Sequence, residues 1–258
     1  MVSRIIFYFT GTGNSYAVAN KVAKELGETE LVPITRIKDF PIEKYSMVGI
    51  VYPVYYIHAP EIVIRMLDHI HFYSSQQIFI IATHAASWGY ALSDVKSLPA
   101  FSDCRHVQEF RVKMPGNNIL EYGAFPQFYQ KNILRKADRK INEIVTTIIN
   151  KESTKSITPN LLARLFKQNG EGKTQVFHDL GEKFYVTSNC QHCGVCEKIC
   201  PAKNIELSNG SVIWGNQCQC CMACIQWCPQ NAIAHPALNH KRTRYTHPDI
   251  TQKQLWRI

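Results

Sequence analysis

A repeated cysteine motif near the carboxyl end constrains this chain more than any other feature. Nine of its ten cysteines fall within the 39 residues from Cys190 to Cys228. Eight of them form two copies of Cys-x2-Cys-x2-Cys-x3-Cys-Pro, offset by 28 residues. Thiols at this density, in a chain whose amino terminus does not resemble a signal peptide, are more often metal ligands than disulfides. The motif therefore predicts a metal-binding unit.

The spacing indicates which metal group is bound. Three cysteines at two-residue intervals wrap three irons of one cubane, and the fourth ligates the other cluster. We therefore predict two 4Fe–4S clusters. Zinc is the alternative, but two Cys-x2-Cys pairs would satisfy it without the Cys-Pro endings. The predicted ligands are Cys190, Cys193, Cys196 and Cys228 for cluster 1, and Cys218, Cys221, Cys224 and Cys200 for cluster 2.

This repeat resembles the bacterial two-cluster ferredoxins. Between the copies, Ser208-Asn209-Gly210 predicts a hairpin turn, because Asn-Gly favours the tight turns that join paired strands. Cys220 does not fit the spacing and is predicted to be a bystander. Cys104, which lies far from the repeat, is predicted to be a small packed residue.

The first 115 residues alternate short apolar runs with amphipathic segments. Five strands separated by helices predict an α/β fold with a doubly wound five-stranded parallel sheet. The predicted strands are Arg4–Thr10, Leu31–Ile34, Met47–Val51, Ile78–Ala82 and Val107–Met114, the last as an edge strand. The predicted helices are Tyr16–Leu26, Glu61–Ile70, Ala91–Leu98 and a long one over Phe125–Asn150.

A Thr/Gly loop follows the first predicted strand, where open α/β sheets bind phosphate at a helix N-terminus. It lacks the lysine of a P-loop and the third glycine of a dinucleotide fingerprint. Hydroxyls and an amide suit a phosphate bound without a counter-cation, and the loop resembles the phosphate loop of flavodoxins. We therefore predict FMN binding by Thr10, Gly11, Thr12, Gly13, Asn14 and Ser15.

Two further loops are expected to flank the flavin ring, one after the third strand and one after the fourth. Both carry aromatic residues that can stack on the ring. The predicted contacts are Pro53, Val54, Tyr55, Tyr56, Thr83, His84, Trp88, Gly89 and Tyr90. His58 and His84 lie in these loops and are candidate catalytic groups, because histidine titrates near neutral pH. The alternative is that both are ordinary loop histidines.

Across nearly its whole length, the chain resembles the EFR-type flavodoxin–ferredoxin fusions. The resemblance rests on Phe9–Ser15, Pro53-Val54-Tyr55, Ala82-Thr83, Val112–Pro115, Phe184–Val186, both cysteine motifs and the tail Arg244-Tyr245-x-His247-Pro248. It implies FMN in a first domain and two 4Fe–4S clusters in a second. The predicted division is a flavodoxin-like domain over 1–155 that includes the long helix, a connecting segment over 156–183 with a short helix near Leu161–Phe166, and a ferredoxin domain with a basic tail over 184–258.

Two functions remain open at this stage. The first is an electron-transfer protein that shuttles electrons between the clusters and FMN, and the second is an FMN-dependent reductase of a small organic substrate, fed by an external ferredoxin through the clusters. A sensor with structural clusters is a weaker third alternative. No hydrolytic constellation stands out. The absence of a dinucleotide fingerprint indicates that reductant comes from another redox protein.

The formal net charge of +9 counts the cysteines as neutral. Two ligated clusters and a flavin phosphate would reduce it to about +3, so we expect no nucleic-acid partner. The basic tail is predicted to form a rim that steers an acidic redox partner, and its cations are Lys241, Arg242, Arg244, Lys253 and Arg257. Apolar runs are too short to span a membrane, and a cytoplasmic protein is expected.

Overall fold

The computed structural model describes residues 3–159, Ala163 and residues 179–256. We call residues 3–159 the α/β unit and residues 179–256 the cysteine unit. The short helix predicted near 161–166 lies, apart from Ala163, outside the described residues. In the α/β unit the strands are β1 (Arg4–Tyr8), β2 (Thr29–Pro33), β3 (Met47–Pro53), β4 (Gln77–His84) and β5 (Val107–Lys113). The helices are α1 (Asn14–Leu26), α2 (Glu61–Leu67), α3 (Ala91–Lys96) and α4 (Gln127–Ile149).

The five strands form one parallel sheet in the order β2-β1-β3-β4-β5. This is the strand order of the flavodoxin-like fold, in which the chain reverses direction across the sheet between β1 and β3. The predicted fold class is confirmed. The carboxyl ends of the strands all open at one edge, so the loops after β1, β3, β4 and β5 meet there.

The sheet is apolar on both faces because its strands carry almost uninterrupted apolar runs. On β1, Ile5 and Phe7 point to one face and Ile6 and Tyr8 to the other, and all four are buried. The first face packs against α2 and α3, and the second packs against α1 and α4. Two layers of helices therefore cover the sheet, as its patterning requires.

The predicted long helix is confirmed as α4, with bounds two residues shorter at its start. Its buried stripe is Ile133, Ala137, Ile141, Ile144, Val145 and Ile148, whereas the predicted Leu134 is only partly buried. The stripe holds α4 against the sheet face near β5. The chain after α4 then runs beside β5, where Thr154 Oγ1 accepts a hydrogen bond from the backbone N–H of Glu109 at 3.0 Å.

The cysteine unit consists of short elements around its two motifs. They are β6 (Tyr185–Val186), α5 (Val195–Ile199), β7 (Ile205–Ser208), β8 (Ser211–Trp214), α6 (Ala223–Trp227), β9 (Ile233–Ala234) and α7 (Gln252–Leu255). Strand β7 pairs antiparallel with β8 through Asn209 and Gly210, and both of these residues have positive φ. The predicted hairpin turn is therefore confirmed. Strand β6 pairs with β9.

The sequence repeat is also a repeat of backbone conformation. Residues with positive φ recur 28 positions apart at three places: His192 (50°) and Cys220 (46°), Gly194 (72°) and Met222 (61°), and Lys203 and Asn231 (50° each). Side chains other than glycine rarely adopt this conformation. Its recurrence shows that both copies fold by the same turns.

We expect Gly49→Ala to destabilise the α/β unit. A Cβ at Gly49 on β3 would lie 2.2 Å from Cζ of buried Phe79 on β4. Such overpacking costs about 1–3 kcal/mol of unfolding free energy, and shortening the neighbour with Phe79→Leu should recover part of it. Urea unfolding of both single variants and the double variant measures this. Additive losses in the double variant would contradict the assigned contact.

Candidate functional site

A cavity of about 260 Å³ opens at the carboxyl edge of the sheet. We call it the carboxyl-edge cavity. Its walls are the loops after β1, β3, β4 and β5, together with a segment of the cysteine unit. The lining residues include Thr10–Thr12, Asn14 and Ser15, Pro53–Ile57, Thr83–Ser87, Met114–Asn118, Glu121, Tyr122 and Gln219–Met222. The cavity therefore lies where the strand order predicts a ligand.

The Thr/Gly loop forms one end of this cavity and is held by its own side chains. Thr10 Oγ1 accepts a hydrogen bond from the backbone N–H of Gly13 at 3.2 Å, and the hydroxyls of Ser15 and Thr83 lie 2.8 Å apart. Gly13 has a φ of 95°, which glycine adopts without strain. Helix α1 begins directly after it, so the backbone N–H groups of the first helical turn lie at the cavity wall.

Asn14 lines the cavity, but both polar atoms of its side-chain amide make hydrogen bonds within the protein. Its Nδ2 donates to the carbonyl of Pro115 at 2.9 Å, and its Oδ1 accepts from the hydroxyl of Tyr245 at 2.7 Å. Asn14 thereby joins the loop after β1 to the loop after β5 and to the carboxyl-terminal tail. Its predicted contact with a ligand remains untested.

The wall of the carboxyl-edge cavity carries few charged side chains. Among the described residues, neither lysine nor arginine lines the cavity, and Glu121 is its one carboxylate. The loop end offers instead hydroxyls and the start of α1, whose dipole and N–H groups favour an anion.

Tyr55 and Tyr56 form the aromatic wall. Tyr55 is partly buried, but its hydroxyl is enclosed, so burial raises the pKa of that hydroxyl well above the usual value. The hydroxyl has no hydrogen-bond partner within the described structure. Tyr56 has a φ of 45°, and its hydroxyl donates to Glu121 and accepts from Asn118 Nδ2. A tight turn thus presents two adjacent rings to the same cavity.

Other predicted contacts lie outside the cavity lining, namely Gly13, His58, Trp88, Gly89 and Tyr90. The indole N–H of Trp88 donates to the carbonyl of Thr158 at 3.1 Å, and the guanidinium of Arg111 lies 3.4 Å from its ring. Gly89 touches the neighbouring loop so closely that a Cβ would lie 2.1 Å from the carbonyl of Ile57. The backbone N–H of Tyr90 donates to the same carbonyl at 2.6 Å, so Gly89 and Tyr90 hold the loop after β4 against the loop after β3.

The two candidate catalytic histidines have different surroundings. His58 Nδ1 lies 3.0 Å from Oδ2 of Asp94, and its ring stacks on Tyr90, so it links the loop after β3 to α3. His84 lines the cavity and is 8% exposed. Burial, with Arg111 and Lys113 nearby, lowers the pKa of His84 to about 4. Its imidazole is therefore neutral at pH 7.

The loop after β5 supplies a wall that the site predictions omitted. Met114–Asn118, Glu121 and Tyr122 all line the cavity. Asn117 Nδ2 donates to Thr12 Oγ1 at 2.7 Å, which joins this loop to the Thr/Gly loop. The polar run Gly116-Asn117-Asn118, directly after a predicted strand, was the signal that could have identified it.

The eight repeat cysteines line two further cavities. Cysteine cavity 1 has Cys190, Cys193, Cys196 and Cys228 in its wall, and cysteine cavity 2 has Cys200, Cys218, Cys221 and Cys224, with Cys220 beside them. Each wall thus combines three cysteines of one motif with the fourth of the other. This is the grouping expected for two clusters.

The donor chemistry around these cavities fits a thiolate-bound metal group. Each wall carries four cysteines of the repeat, and backbone N–H groups accompany them. Backbone N–H groups point at the sulfurs at equivalent places, from Asn204 to Cys200 Sγ and from Ala232 to Cys228 Sγ, both at 3.3 Å. Burial raises the pKa of the Cys221 and Cys224 thiols. Such thiols would ionise only with a metal group beside them.

The cysteine unit packs directly on the Thr/Gly loop. A Cβ at Gly11 would lie 2.1 Å from the carbonyl oxygen of Cys221, so only glycine allows this approach. The indole N–H of Trp227 donates to the carbonyl of Gly11 at 3.0 Å, and the backbone N–H of His247 donates to that of Thr12 at 2.9 Å. As a result, Gln219–Met222 lines both the carboxyl-edge cavity and cysteine cavity 2.

Two of the five predicted rim cations, Arg242 and Arg244, make hydrogen bonds to backbone carbonyls. The Arg242 guanidinium donates to the carbonyls of Ile119 and Leu120, and Arg244 donates to those of Asn231 and Ile233. Both fasten the tail to the rest of the molecule. Among the described rim cations, the side chains of Lys241 and Lys253 have none of these contacts, so the predicted cations are not equivalent members of an open rim. Arg257 lies outside the described residues.

The chain has a weak likeness to several solved structures. Neither a protein-family model nor a curated protein matches the chain. Among solved structures, a short-chain flavodoxin associated with a non-canonical PDU bacterial microcompartment is 16% identical, over 59% of this chain and 100% of its own, with a TM-score of 0.40. Flavodoxin from Streptococcus pneumoniae TIGR4 is 11% identical over 58% and 99% (TM-score 0.41), and azoreductase from Bacillus anthracis is 9% identical over 57% and 96% (TM-score 0.35).

The α/β unit is flavodoxin-like. These TM-scores are low, and the assignment rests on the strand order and parallel register. Within the part of the chain that the structure describes, every helix is too short or too polar to cross the hydrocarbon core of a bilayer.

His84 makes stability depend on pH. The unfolded chain takes up a proton near pH 6.5, whereas the folded chain resists it until about pH 4. Stability therefore falls as the pH drops through this range, by about 2 kcal/mol between pH 7.5 and pH 5. We expect His84→Gln to remove that part of the pH dependence, measured by urea unfolding at both pH values. An equal loss in wild type and variant would contradict a neutral buried imidazole.

Proposed function

We propose that this chain is an electron-transfer protein that passes electrons between two 4Fe–4S clusters and one FMN. The observation that carries the proposal is the shared wall Gln219–Met222, which borders the carboxyl-edge cavity on one side and cysteine cavity 2 on the other. Electron transfer requires redox groups to lie close together, because its rate falls steeply with separation. Because the one segment Gln219–Met222 lines both cavities, redox groups bound in them would be close together.

In this proposal the Thr/Gly loop and the first turn of α1 bind the flavin phosphate, through hydroxyls and backbone N–H groups. Tyr55 and Tyr56 lie along the flavin ring, and the segment Gln219–Met222 excludes water from the side that faces the cysteines. Neutral His84 offers a hydrogen bond at the cavity wall without adding charge. FMN supplies the ability to exchange one or two electrons.

The cysteine unit would hold the clusters by the predicted ligand sets. The N–H groups of Asn204 and Ala232 point at Cys200 and Cys228, and such bonds to ligand sulfur raise the reduction potential of a cluster. Two clusters supply one-electron steps, so the chain would convert between one- and two-electron chemistry.

The EFR-type flavodoxin–ferredoxin fusion is the architecture we propose, with the domain division 1–155, 156–183 and 184–258. The conformational repeat of the cysteine unit and its packing on the Thr/Gly loop support it. The partner would be another redox protein, and the expected compartment is the cytoplasm.

A second candidate is an FMN-dependent reductase of a small organic substrate. The observation in its favour is the hydrogen-bonded pair Tyr56 and Glu121 at the wall of the carboxyl-edge cavity, with His84 in the same cavity. These groups can move a proton beside a bound flavin. The two candidates differ in one measurement, because only a reductase consumes an organic substrate when reduced ferredoxin is supplied.

Anaerobic purification with cofactor analysis tests the proposal. We expect about eight irons, about eight sulfides and one FMN per chain. Visible spectra should show both flavin and iron–sulfur absorbance, and dithionite should bleach both. Zinc in place of iron, or a protein that binds no flavin after reconstitution, would overturn the proposal.

Adjacent cysteines provide a matched test of the ligand assignment. We expect Cys221→Ser to lose about four of eight irons, because it removes one ligand of a cluster. Cys220→Ser should keep all of them, since Cys220 is outside the predicted set. Iron analysis and electron paramagnetic resonance of the reduced proteins measure this. Loss of iron in the Cys220 variant alone would refute the assigned register.

A further inference from the structure

The two cysteine cavities differ in what surrounds them. Cysteine cavity 2 shares Gln219–Met222 with the carboxyl-edge cavity, whereas cysteine cavity 1 shares none of its lining residues, among those described, with that cavity. Several residues that line cysteine cavity 1 are exposed: Gln191, His192, Cys193, Pro229 and Gln230. Cysteine cavity 2 is therefore next to the carboxyl-edge cavity, and cysteine cavity 1 is next to solvent.

We propose that the two sites have fixed and different roles, with the Cys190/Cys193/Cys196/Cys228 site as the port for an external one-electron carrier protein and the Cys200/Cys218/Cys221/Cys224 site as the relay to the flavin. This inference rests on the proposed function, because it presumes that clusters and flavin bind. It adds the order of transfer and the surface on which the carrier docks.

The proposed order of electron transfer rests on the solvent exposure of the two cysteine sites as well as on their positions relative to the carboxyl-edge cavity. Cys193 is exposed, whereas Cys224 is buried. The segment that carries Cys221 is held against the Thr/Gly loop by the close approach of its carbonyl to Gly11. A carrier approaching from solvent can therefore come near the first site, while the second is covered by the α/β unit.

The residues that line cysteine cavity 1 carry no formal charge. Residues 184–196 and 207–240 contain no Asp, Glu, Lys or Arg, in a chain in which these make up 19% of residues. Every residue that lines the cavity lies in these two runs. The side chains of this wall therefore add no charge to that of a bound cluster, which with its thiolates would carry about −2, and weak redox encounters need only a small contact. Arg244 of the tail donates to the carbonyls of Asn231 and Ile233, so one cation lies beside the cavity.

Electrons are transferred one at a time, and the number donated equals the number accepted. A reduced carrier gives one electron to the Cys190/Cys193/Cys196/Cys228 site and leaves oxidised. That electron passes to the Cys200/Cys218/Cys221/Cys224 site and then to the flavin. Two such transfers, with two protons from solvent, reduce one flavin fully and oxidise two carriers. The reverse order applies when reduced flavin is the donor.

Charges introduced at the wall of cysteine cavity 1 test the port. Gln191 and Gln230 are exposed and line cysteine cavity 1. With a reduced acidic ferredoxin as the probe, Gln191→Glu with Gln230→Glu should slow flavin reduction about fivefold at low salt, and Gln191→Lys with Gln230→Lys should accelerate it by a similar factor. Both effects should shrink at 0.5 M salt, where the Debye length is only about 4 Å.

The matched control is Gln127→Glu with Asn142→Asp, two exposed positions on α4. Stopped-flow absorbance of the flavin should show that this variant reacts as wild type does. Rates that are equal in the Glu and Lys variants, or a control that slows as much as the Glu variant, would overturn the docking surface. Iron and FMN contents are measured on every variant, so a failure of the proposed function is distinguished from a failure of the port.

A ligand substitution tests the order of transfer directly. Cys193→Ser should abolish one reduced-cluster signal in electron paramagnetic resonance, keep FMN, and slow flavin reduction by ferredoxin at least tenfold. Dithionite, a small reductant, should still reduce the remaining cluster. If the variant loses one cluster and its flavin is still reduced by ferredoxin at the wild-type rate, the carrier uses another entry and the proposal is wrong. The charge variants decide the matter if Cys193→Ser does not fold.

Discussion

The contact between Gly11 and the carbonyl of Cys221 is the constraint on which the rest of the site depends. It brings a loop at the carboxyl edge of a parallel sheet against a cysteine motif more than 200 residues later in the chain. Any side chain at position 11 would force these backbones apart. The hydrogen bonds from Trp227 and His247 to the same loop show that the approach is supported on both sides.

This packing gives the carboxyl-edge cavity a wall that a flavodoxin-like sheet alone would lack. In an open α/β sheet the ligand binds in the crevice beyond the strand ends, with one side toward solvent. Here Gln219–Met222 covers part of that crevice. The same four residues border cysteine cavity 2, so the two units meet where redox groups would have to exchange electrons. The proposed route and the proposed function follow from this single arrangement.

The elements that could be predicted from sequence are those whose cause is local. Strands β1, β3 and β4 are uninterrupted apolar runs. Such a run is buried most completely as a strand that is covered on both faces of a sheet. The turn at Asn209-Gly210 and the cysteine register likewise depend on neighbouring residues. The site was predicted less completely. Tyr55, Tyr56 and His84 line the cavity, whereas His58 and Trp88 engage Asp94 and Thr158 behind it.

By itself, the sequence determined the sheet, the Thr/Gly loop at its edge and the grouping of eight cysteines into two sets, because periodicity and spacing act over a few residues. Only the tertiary structure decided which set lies next to the carboxyl-edge cavity and which faces solvent. It also decided that Arg242 and Arg244 bind backbone carbonyls. Such outcomes depend on which distant backbone groups need a partner once the units pack, and no local pattern encodes that requirement.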